Sequence, residues 1–527
     1  MTNYQFTGGT ICAPATIPGT GAISIIRVSG KESLAIADKV IDTKGVPIAE
    51  TEGYRLRYGT VFEADGSVLD NVIVSVFRAP HSYTGENSVE ISCHASRFIV
   101  NKILELLVNA GARIAAPGEF TRRAFVNGKM DLAQAEAVAD VIASQSAASH
   151  RVAMNQLKGG FSSELKVLRE KLLTMTSLLE LELDFSEEDV EFASRKELGQ
   201  LVDDSLTHIG RLTASFSRGN AIKNGVPVAI VGATNTGKST LLNALLGEER
   251  AIVSDIAGTT RDTIEETLNI DGILFRFIDT AGIRETDETI EKIGIDRTFK
   301  KLGEAAVVLG MTDLSRGEAA VLEDADFILS KVNEMGCVKN DGEIDGSETG
   351  GVSQHGHGDG PERKVVILVN KCDVAGSFYK DDNGTGDGSG NDLGKNVAEI
   401  GGNKNVNHDN NIVSLIENKY DNCKVIPISA KTGKGLSTLT KTLGEIGSEI
   451  TGSTDETLVT NVRHYEALVR AASALERVRA GLHIATLPPD LIAQDLREAL
   501  YHLGEIVGEI STDETLGNIF RNFCIGK

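Results

Sequence analysis

Residues 232–239 read GATNTGKS and match the pattern G-x-x-x-x-G-K-[ST]. The apolar run VPVAIV precedes this match and the run TLLNALLG follows it, so the segment lies between a predicted strand and a predicted helix. Gly232 and Gly237 permit a sharp turn whose backbone N–H groups can surround phosphate. The segment therefore predicts an α/β nucleotide-binding domain, with Lys238 at the β and γ phosphates and Ser239 as a Mg²⁺ ligand.

Four further apolar runs follow the loop at the spacing of alternating strands and helices: ILFRFIDT, AAVVLGM, KVVILVN and CKVIPISA. This rhythm predicts a parallel sheet with helices on both faces. The first of these runs leads into DTAG (279–282), where the aspartate can hold Mg²⁺ through water and the glycine N–H can contact a γ-phosphate.

The third of these runs ends in NKCD (370–373), which selects the base. A carboxylate at Asp373 can accept the two N–H groups on the edge of guanine, whereas adenine offers no such pair of donors. The last run leads into SAK (429–431), where a backbone N–H would meet the guanine carbonyl. The segment 254–262 lies where it can fold over the phosphates as a first switch, with Thr260 as the second hydroxyl ligand of Mg²⁺.

These motifs together define a predicted GTP site. Its members are Asn235, Thr236, Gly237, Lys238, Ser239, Thr240, Ser254, Asp255, Ile256, Ala257, Gly258, Thr259, Thr260, Asp279, Thr280, Ala281, Gly282, Asn370, Lys371, Asp373, Ser429, Ala430 and Lys431.

Around this domain the sequence pattern changes. Residues 1–125 contain short β-branched runs and a helical stretch near 97–110, which predicts an α+β domain. We assign a helical domain in two parts, 126–220 and 451–527, with the nucleotide domain inserted as 221–450. Leucine spacing predicts the helical core, through Leu165, Leu168, Leu172, Met175, Leu179, Leu468, Leu475, Leu482, Leu496, Leu500 and Leu503.

Two segments interrupt the nucleotide domain, at about 338–362 and 376–411. Both are rich in Gly, Asn and Asp and poor in apolar residues, so we expect mobile loop insertions. His355 and His357 in the first insertion stand in a glycine-rich stretch, which favours solvent exposure over metal binding.

Composition excludes other classes of protein. A chain of 527 residues with 41% hydrophobic and 24% charged residues is typical of a multidomain globular protein. The formal charge of −22 repels nucleic acid over most of the surface, so an RNA partner needs a local basic patch or a second subunit. Six scattered cysteines, no signal segment and no long apolar run predict a cytoplasmic protein without a membrane partner.

The chain resembles the MnmE (TrmE) family of tRNA-modifying GTPases. Beyond the GTPase motifs, APGEFTRRAF (116–125), NGKMDL (127–132) and QAEA (134–137) are similar to the family's signature at the start of its helical domain. The ending FCIGK (523–527) resembles the family's C-x-G-K terminus. The two insertions and the residues around Gly310, where the family usually carries a larger apolar residue, depart from the family pattern.

The resemblance implies potassium-dependent GTP hydrolysis by dimerised nucleotide domains. Asn235 matches the family's K⁺ ligand in the loop, and Ser254, Ile256 and Thr259 match its potassium loop. Such a cation can neutralise charge that develops near the β and γ phosphates. Ile283 follows DTAG where many small GTPases carry a glutamine, and the family's water-positioning glutamate falls at Glu291. The implied catalytic residues are Glu291, Lys238 and Thr260.

The resemblance also implies that the N-terminal domain dimerises and binds 5-formyl-tetrahydrofolate or a related one-carbon folate. Arg27, Glu90, Lys129 and Lys527 stand at the family's folate contacts, since basic groups suit the folate carboxylates and Glu90 can accept donors of the ring. Cys524 is either a nucleophile or redox thiol near the modification site, or a structural or substrate-adjacent thiol, and no basic cluster or second cysteine adjoins it in sequence. We interpret Cys93-His94, which departs from the family pattern, as packing.

The implied function is addition of a carboxymethylaminomethyl-type group to C5 of the tRNA wobble uridine, by a homodimer acting with MnmG (GidA), which carries FAD, in a heterotetramer or larger complex. The alternative is a GTPase of the Era or EngA type that acts in ribosome assembly without modifying a base. A third possibility is a nucleotide-regulated scaffold whose insertions have impaired hydrolysis. The intact catalytic and metal-binding positions argue against it: Lys238, Ser239, Thr260, Asp279 and Glu291.

Overall fold

The computed structural model describes residues 8–63, 65–184, 195–249, 266–278, 305–336, 363–373, 409–420, 423–452, 456–484, 488–510, 513–521, 523 and 526. The chain forms two compact units. The first comprises Met1–Ser144, His150–Phe216 and Thr457–Lys527, and the second comprises Gln145–Ser149 and Ser217–Glu456. The unit that carries the nucleotide motifs therefore lies in the chain between two parts of the other unit, as expected for an inserted domain. The finer division into four segments stays a prediction.

The N-terminal part of the first unit is a seven-stranded sheet in the order β3-β4-β5-β6-β2-β1-β7. Its strands are β1 (Ile11–Pro14), β2 (Ile23–Ser29), β3 (Ile41–Asp42), β4 (Arg55–Phe62), β5 (Val68–Phe77), β6 (Ser88–His94) and β7 (Arg113–Ile114). Pairing is antiparallel except between β1 and β7. Along β5, Val72, Val74 and Val76 alternate into the core, which also includes residues of the helices Ser33–Val40 and Arg97–Asn109. The α+β prediction is confirmed.

The rest of the first unit is helical. Its helices are Glu119–Val126, Leu132–Ala143, Ala147–Leu157, Gly160–Asp184, Arg195–Ala214, Val462–Leu482, Pro489–Val507 and Asp513–Arg521, of which Ala147–Leu157 begins in the second unit. Asp131 starts Leu132–Ala143 with a capping box, because its carboxylate accepts from Gln134 N at 2.8 Å and the Gln134 side chain accepts from Asp131 N at 2.9 Å.

The two helical stretches share one core, as the leucine spacing predicts. Leu165, Leu172, Leu468 and Leu475 belong to a single buried cluster although about 300 residues separate them in the chain. Met175 and Leu482 pack against that cluster and are only partly buried. The discontinuous helical domain is confirmed.

The second unit contains a six-stranded sheet in the order β13-β12-β11-β8-β10-β9. Its strands are β8 (Val226–Gly232), β9 (Glu266–Ile270), β10 (Ile273–Ile278), β11 (Val307–Asp313), β12 (Lys364–Asn370) and β13 (Cys423–Pro427). The helices are Phe216–Asn224, Lys238–Glu249, Glu318–Gly336, Asp409–Lys419 and Leu436–Thr451. Separate apolar clusters cover the two faces of the sheet, which is the expected arrangement.

One edge of this sheet differs from the purely parallel prediction. The strand β9 pairs antiparallel with β10, whereas the other neighbours are parallel. The strand β9 has only five residues, of which Leu268 and Ile270 are buried, so its apolar signal is weak and the sequence analysis missed it. In β11, a Cβ at Gly310 would lie 2.6 Å from the Ile367 side chain, so packing explains the small residue at this position.

No helix within the described ranges is long and apolar enough to cross a membrane. The insertion predicted at 338–362 lies outside the described residues, as does that at 376–411 up to residue 408, and residues 409–411 begin the helix Asp409–Lys419.

Candidate nucleotide site and N-terminal cleft

The phosphate end of the candidate site is the turn between β8 and the helix Lys238–Glu249. Gly232 (φ +156°), Asn235 (φ +63°) and Gly237 (φ +100°) all have positive φ. A Cβ at Gly232 would collide with the Met311 carbonyl oxygen, and one at Gly237 would collide with Nδ2 of Asn370. The two glycines of the motif are therefore required both by conformation and by close packing.

Lys238 lies inside this turn. Its Nζ donates to the carbonyl oxygens of Gly232, at 2.9 Å, and Ala233, at 2.8 Å. Burial lowers the pKa of the Lys238 ammonium, because the charge is partly removed from water. An anionic phosphate in the turn would compensate that loss of hydration, so the local electrostatics fit the nucleotide that the motif predicts. Ser239 and Thr240 follow in the first turn of the helix.

The base end is assembled by the side chain of Asn370, which is 3% exposed. Its Nδ2 donates to the carbonyl oxygen of Thr236 at 2.7 Å, and its Oδ1 accepts from Ala430 N at 3.0 Å. One neutral amide thus ties the phosphate turn, the end of β12 and the SAK segment together. The structure brings three of the four sequence motifs into a single site.

Asp373 and Ser429 form the opposite wall of the base end. The Ser429 hydroxyl, which is fully buried, donates to Oδ1 of Asp373 at 2.7 Å. That hydrogen bond holds the pKa of Asp373 below its usual value, so the carboxylate is charged at neutral pH. Asp373 is exposed and placed to accept from a ligand, which is the chemistry expected of a guanine-selective carboxylate. Lys431 follows Ala430 and is also exposed.

Several predicted site residues lie outside the described residues. They comprise the first switch, the DTAG segment and the catalytic glutamate: Ser254, Asp255, Ile256, Ala257, Gly258, Thr259, Thr260, Asp279, Thr280, Ala281, Gly282 and Glu291. Of the predicted Mg²⁺ and K⁺ ligands, Ser239 and Asn235 are therefore the two that lie within the described residues. Asn235 is exposed on the phosphate turn, where its amide oxygen suits a hard cation.

The N-terminal cleft is centred on Arg27, which pairs with Glu90. The two residues are opposite one another in the β2–β6 register. Nε and Nη2 of Arg27 lie 2.9 and 2.8 Å from Oε1 of Glu90, and the Arg27 guanidinium lies 5.2 Å from the ring centre of Tyr83 and 5.6 Å from that of Phe120. These contacts hold the Arg27 guanidinium in one position, and its side chain keeps 16% exposure.

The other predicted folate contacts are less completely placed. Lys129 donates to the Pro80 carbonyl oxygen at 3.1 Å and therefore lies against the loop that carries Tyr83. Nη1 of Arg27 is 3.5 Å from the carbonyl oxygen of Gly526, so the chain terminus reaches the same cleft. Lys527 and Cys524 lie outside the described residues. Arg27 and Glu90 are bonded to one another, so the pair offers a cation and an acceptor to the same part of a ligand, and the folate contacts stay a prediction.

The interpretation of Cys93-His94 as packing is right for the cysteine and wrong for the histidine. Cys93 is buried, whereas the His94 side chain is 71% exposed. Its Nδ1 lies 2.7 Å from Oδ1 of the buried Asp70, and the same aspartate accepts from His94 N at 2.9 Å. The cause is the alternation of side chains along β6: Cys93 lies on the core face with Ile91, so the next residue, His94, lies on the opposite face.

Sequence reasoning missed Asp313 and Tyr83. Asp313 lies at the carboxyl end of β11 and its Oδ2 accepts from Lys371 Nζ at 2.7 Å. The rule that ligand-binding groups gather at the carboxyl ends of parallel strands could have singled it out. Tyr83 carries no such signal, because only the folded loop brings its ring to Arg27.

The sheet, the glycine turn and the assembled base end define a P-loop nucleotide-binding protein of the GTPase class. Family models sharpen this assignment: the MnmE helical domain matches residues 132–524, and the N-terminus of the GTP-binding protein TrmE matches residues 10–129. The chain belongs to the MnmE family.

Similar curated proteins agree along the whole chain. A tRNA modification GTPase MnmE of Parabacteroides distasonis is 46% identical over 521 residues, covering 98% of this chain and 100% of that protein. The protein of the same name from Bacteroides fragilis is 47% identical over 520 residues, and that from Flavobacterium johnsoniae is 46% identical over 519 residues; each alignment covers 98% of this chain and 99% of the relative.

Proposed function

We propose that this chain binds and hydrolyses GTP in order to drive modification of tRNA. As a member of the MnmE family the chain is a GTPase of the tRNA-modification class. The observation that carries the nucleotide part is the buried Asn370 amide, which joins the phosphate turn to the base end with hydrogen bonds of 2.7 and 3.0 Å. Family membership favours this function over the ribosome-assembly alternative.

Different residues are proposed for the phosphates, the base, the metal and the attacking water. The backbone N–H groups of the turn and Lys238 hold the phosphates, and Asp373 accepts from the guanine edge. Ser239, with Thr260, is the proposed Mg²⁺ ligand pair; the bound metal supplies charge neutralisation at the phosphates. Glu291 is the proposed group that positions the attacking water.

Potassium dependence is the finer part of the proposal. Asn235, at the exposed tip of the turn, would hold K⁺ together with Ser254, Ile256 and Thr259. The test compares GTP hydrolysis in KCl and NaCl at equal ionic strength, for the full chain and for Asn235→Ala. Selective stimulation by K⁺ that is lost in Asn235→Ala supports the site. Equal rates in the two salts remove it and leave a GTPase without cation assistance.

The proposed reaction adds a carboxymethylaminomethyl-type group at C5 of the wobble uridine, with a one-carbon folate held at Arg27, Glu90, Lys129 and Lys527. FAD belongs to the partner MnmG alone, and the proposed assembly is a heterotetramer or larger complex in the cytoplasm. A homodimer through the N-terminal domain is supported by an apolar surface on β4 and β5. Leu56, Tyr58 and Ile73 lie on one face of these strands and are 66%, 66% and 48% exposed.

The experiment that tests the modification is reconstitution with MnmG, tRNA, GTP and the folate, followed by nucleoside analysis of the wobble position. A modified uridine that needs both GTP hydrolysis and folate supports the proposal. GTP hydrolysis without any change in the tRNA would favour the ribosome-assembly alternative instead. Asp373→Asn adds a check on the base, because an amide there should shift preference from guanine towards xanthine nucleotides.

A further inference from the structure

The aspartate at the end of β11 lies beside the base end of the nucleotide site. Asp313 is directly opposite Asn370 in the parallel register of β11 and β12. The Asp313 side chain is 7% exposed, and it faces the residue that follows Asn370. A buried charge in this position must be compensated by close partners.

Asp313 has such partners at both carboxylate oxygens. Oδ2 accepts from Lys371 Nζ at 2.7 Å, and Oδ1 accepts from the backbone N and the hydroxyl of Ser315 at 3.0 and 2.6 Å. Burial alone would raise the pKa of Asp313, but the hydrogen bonds from Lys371 and Ser315 outweigh burial and lower it. The carboxylate is thus ionised and held in a fixed orientation.

Lys371 is constrained at both ends of its side chain. Its backbone has φ +66°, a left-handed conformation that a lysine rarely adopts, and its ammonium is bound to Asp313. Asn370, immediately before it, is fixed by Thr236 and Ala430. Lys371 therefore stands in the chain between the fixed Asn370 amide and Asp373, the carboxylate proposed to accept from guanine.

Another pair in the same unit shows what an ordinary surface contact looks like here. Lys419 and Asp326 are 52% and 41% exposed, at a distance of 2.6 Å. The Asp313 and Lys371 side chains are 7% and 34% exposed, so the Asp313–Lys371 pair is better shielded from solvent than the Asp326–Lys419 pair. Both oxygens of Asp313 are occupied, and no metal-binding cluster of acidic, His or Cys side chains occurs in the described part of the chain. These facts favour a positioning role over metal binding.

We infer that Asp313 is a positioning residue for guanine-nucleotide binding, which acts by holding the Lys371 side chain against the base pocket. This inference rests on the proposed function, since it assumes that the pocket takes a guanine nucleotide. Loss of a charge-assisted hydrogen bond of this kind predicts a fall in GDP and GTP affinity of about tenfold. Because the base is common to both nucleotides, the fall is equal for the two.

The test measures binding of fluorescent GDP and GTP to the full chain and to Asp313→Asn, Lys371→Ala and the double variant. Asp326→Asn is the matched control, because it also removes the charge of an aspartate that pairs with a lysine in this unit. Steady-state hydrolysis adds a second readout: the KM for GTP rises in Asp313→Asn, while kcat at saturating GTP is retained. Thermal unfolding accompanies each variant.

A positioning role predicts that Asp313→Asn has no further effect once Lys371 is alanine. Additive losses in the double variant, or a fall in kcat with unchanged KM, overturn the inference. Unchanged affinity in Asp313→Asn beside weakened binding in Lys371→Ala also overturns it, with guanine binding intact. Absence of guanine-nucleotide binding in the unsubstituted chain overturns the proposed function itself, and the two failures are thereby distinguished.

Discussion

Two buried polar networks of this protein differ in what they leave available to a ligand. In the helical part of the first unit, Glu136 accepts from Arg463 Nε at 2.9 Å and from Asn461 Nδ2 at 3.1 Å, and it lies 2.7 Å from His464 Nε2. In the second unit, Asn370 joins two backbone segments. The Lys238 ammonium and the exposed Asp373 carboxylate of the same site provide a cation and an anion for a ligand. The first network serves the fold, and the second serves the fold and a ligand.

The difference has a physical basis. A buried charge is stable only when its own neighbours satisfy it, so Glu136, with its side chain 9% exposed, has its partners within the protein. A binding site must keep part of its hydrogen-bonding capacity for a ligand, and a neutral amide such as Asn370 can build the frame without adding a second buried charge. One atom of the first network, His464 Nδ1, is buried without a hydrogen-bond partner in the described part of the chain.

The largest expected effect comes from removing the carboxylate of the closed network. Glu136→Ala removes the anion that the partly buried Arg463 and the buried His464 share, and the free energy of unfolding of the first unit should fall by about 3–5 kcal/mol. Denaturant unfolding of the purified variants measures this loss. Glu180→Ala, which removes the exposed partner of Arg497, is the control and should cost less than about 1 kcal/mol. Equal losses in the two variants would remove the distinction between the networks.

The same network predicts a pH dependence. Burial alone would raise the pKa of Glu136, but His464 and Arg463 lower it from 4.5 to about 2. Because the folded-state pKa lies below the unfolded value, the stabilisation is complete above about pH 5 and is lost as the pH falls towards 2, by roughly 3 kcal/mol. Unfolding of Glu136→Gln measured over this range should show a flatter profile than that of the unsubstituted chain. Parallel profiles would contradict the assignment.

The framing amide of the open network should affect the ligand more than the fold. Asn370→Ala leaves Thr236 O and Ala430 N without their partner, which predicts a loss of GDP affinity of about 100-fold. Binding of fluorescent GDP measures this affinity. Asn224→Ala is a matched amide control, because Nδ2 of Asn224 bonds only to Asn220 Oδ1, at 2.6 Å, among the described residues. If Asn370→Ala lowers the free energy of unfolding but its folded fraction binds GDP with unchanged affinity, Asn370 serves the fold only, as Glu136 does.

The smallest effect tests whether the Arg27 cleft belongs with the open sites. Arg27→Ala should weaken binding of 5-formyl-tetrahydrofolate by about tenfold, since it removes the cation of the Arg27–Glu90 pair. Isothermal titration of the full chain measures the affinity. Arg57→Ala, which removes an arginine bonded to Thr51 in the same sheet, should bind folate as before. If both variants bind equally well, the Arg27–Glu90 pair is a structural contact only.

Much of the nucleotide site was predictable because each of its motifs is a short contiguous stretch of sequence. The GATNTGKS turn, NKCD and SAK each follow a strand, and parallel strands bring their carboxyl ends to one edge. The hydrogen bond from the Asn370 side-chain amide to the Thr236 carbonyl oxygen was not predictable, because it joins residues 134 positions apart and depends on the register of the sheet. Asp313 escaped notice for a related reason: a single aspartate after a strand has many uses until a neighbouring lysine is placed.

The sequence by itself determined which chemistry this protein carries and the order of its elements: a phosphate-binding turn, a guanine-selecting carboxylate, and helical stretches with an unpaired apolar stripe. Periodicity and motif spacing are local properties of the chain, so they can be read without a fold. Only the tertiary structure decided which distant polar groups meet. Glu136 and Arg463 are 327 residues apart, and Arg27 and Glu90 are 63 apart. Hydrogen bonds act over about 3 Å, and only folding brings such groups within that distance.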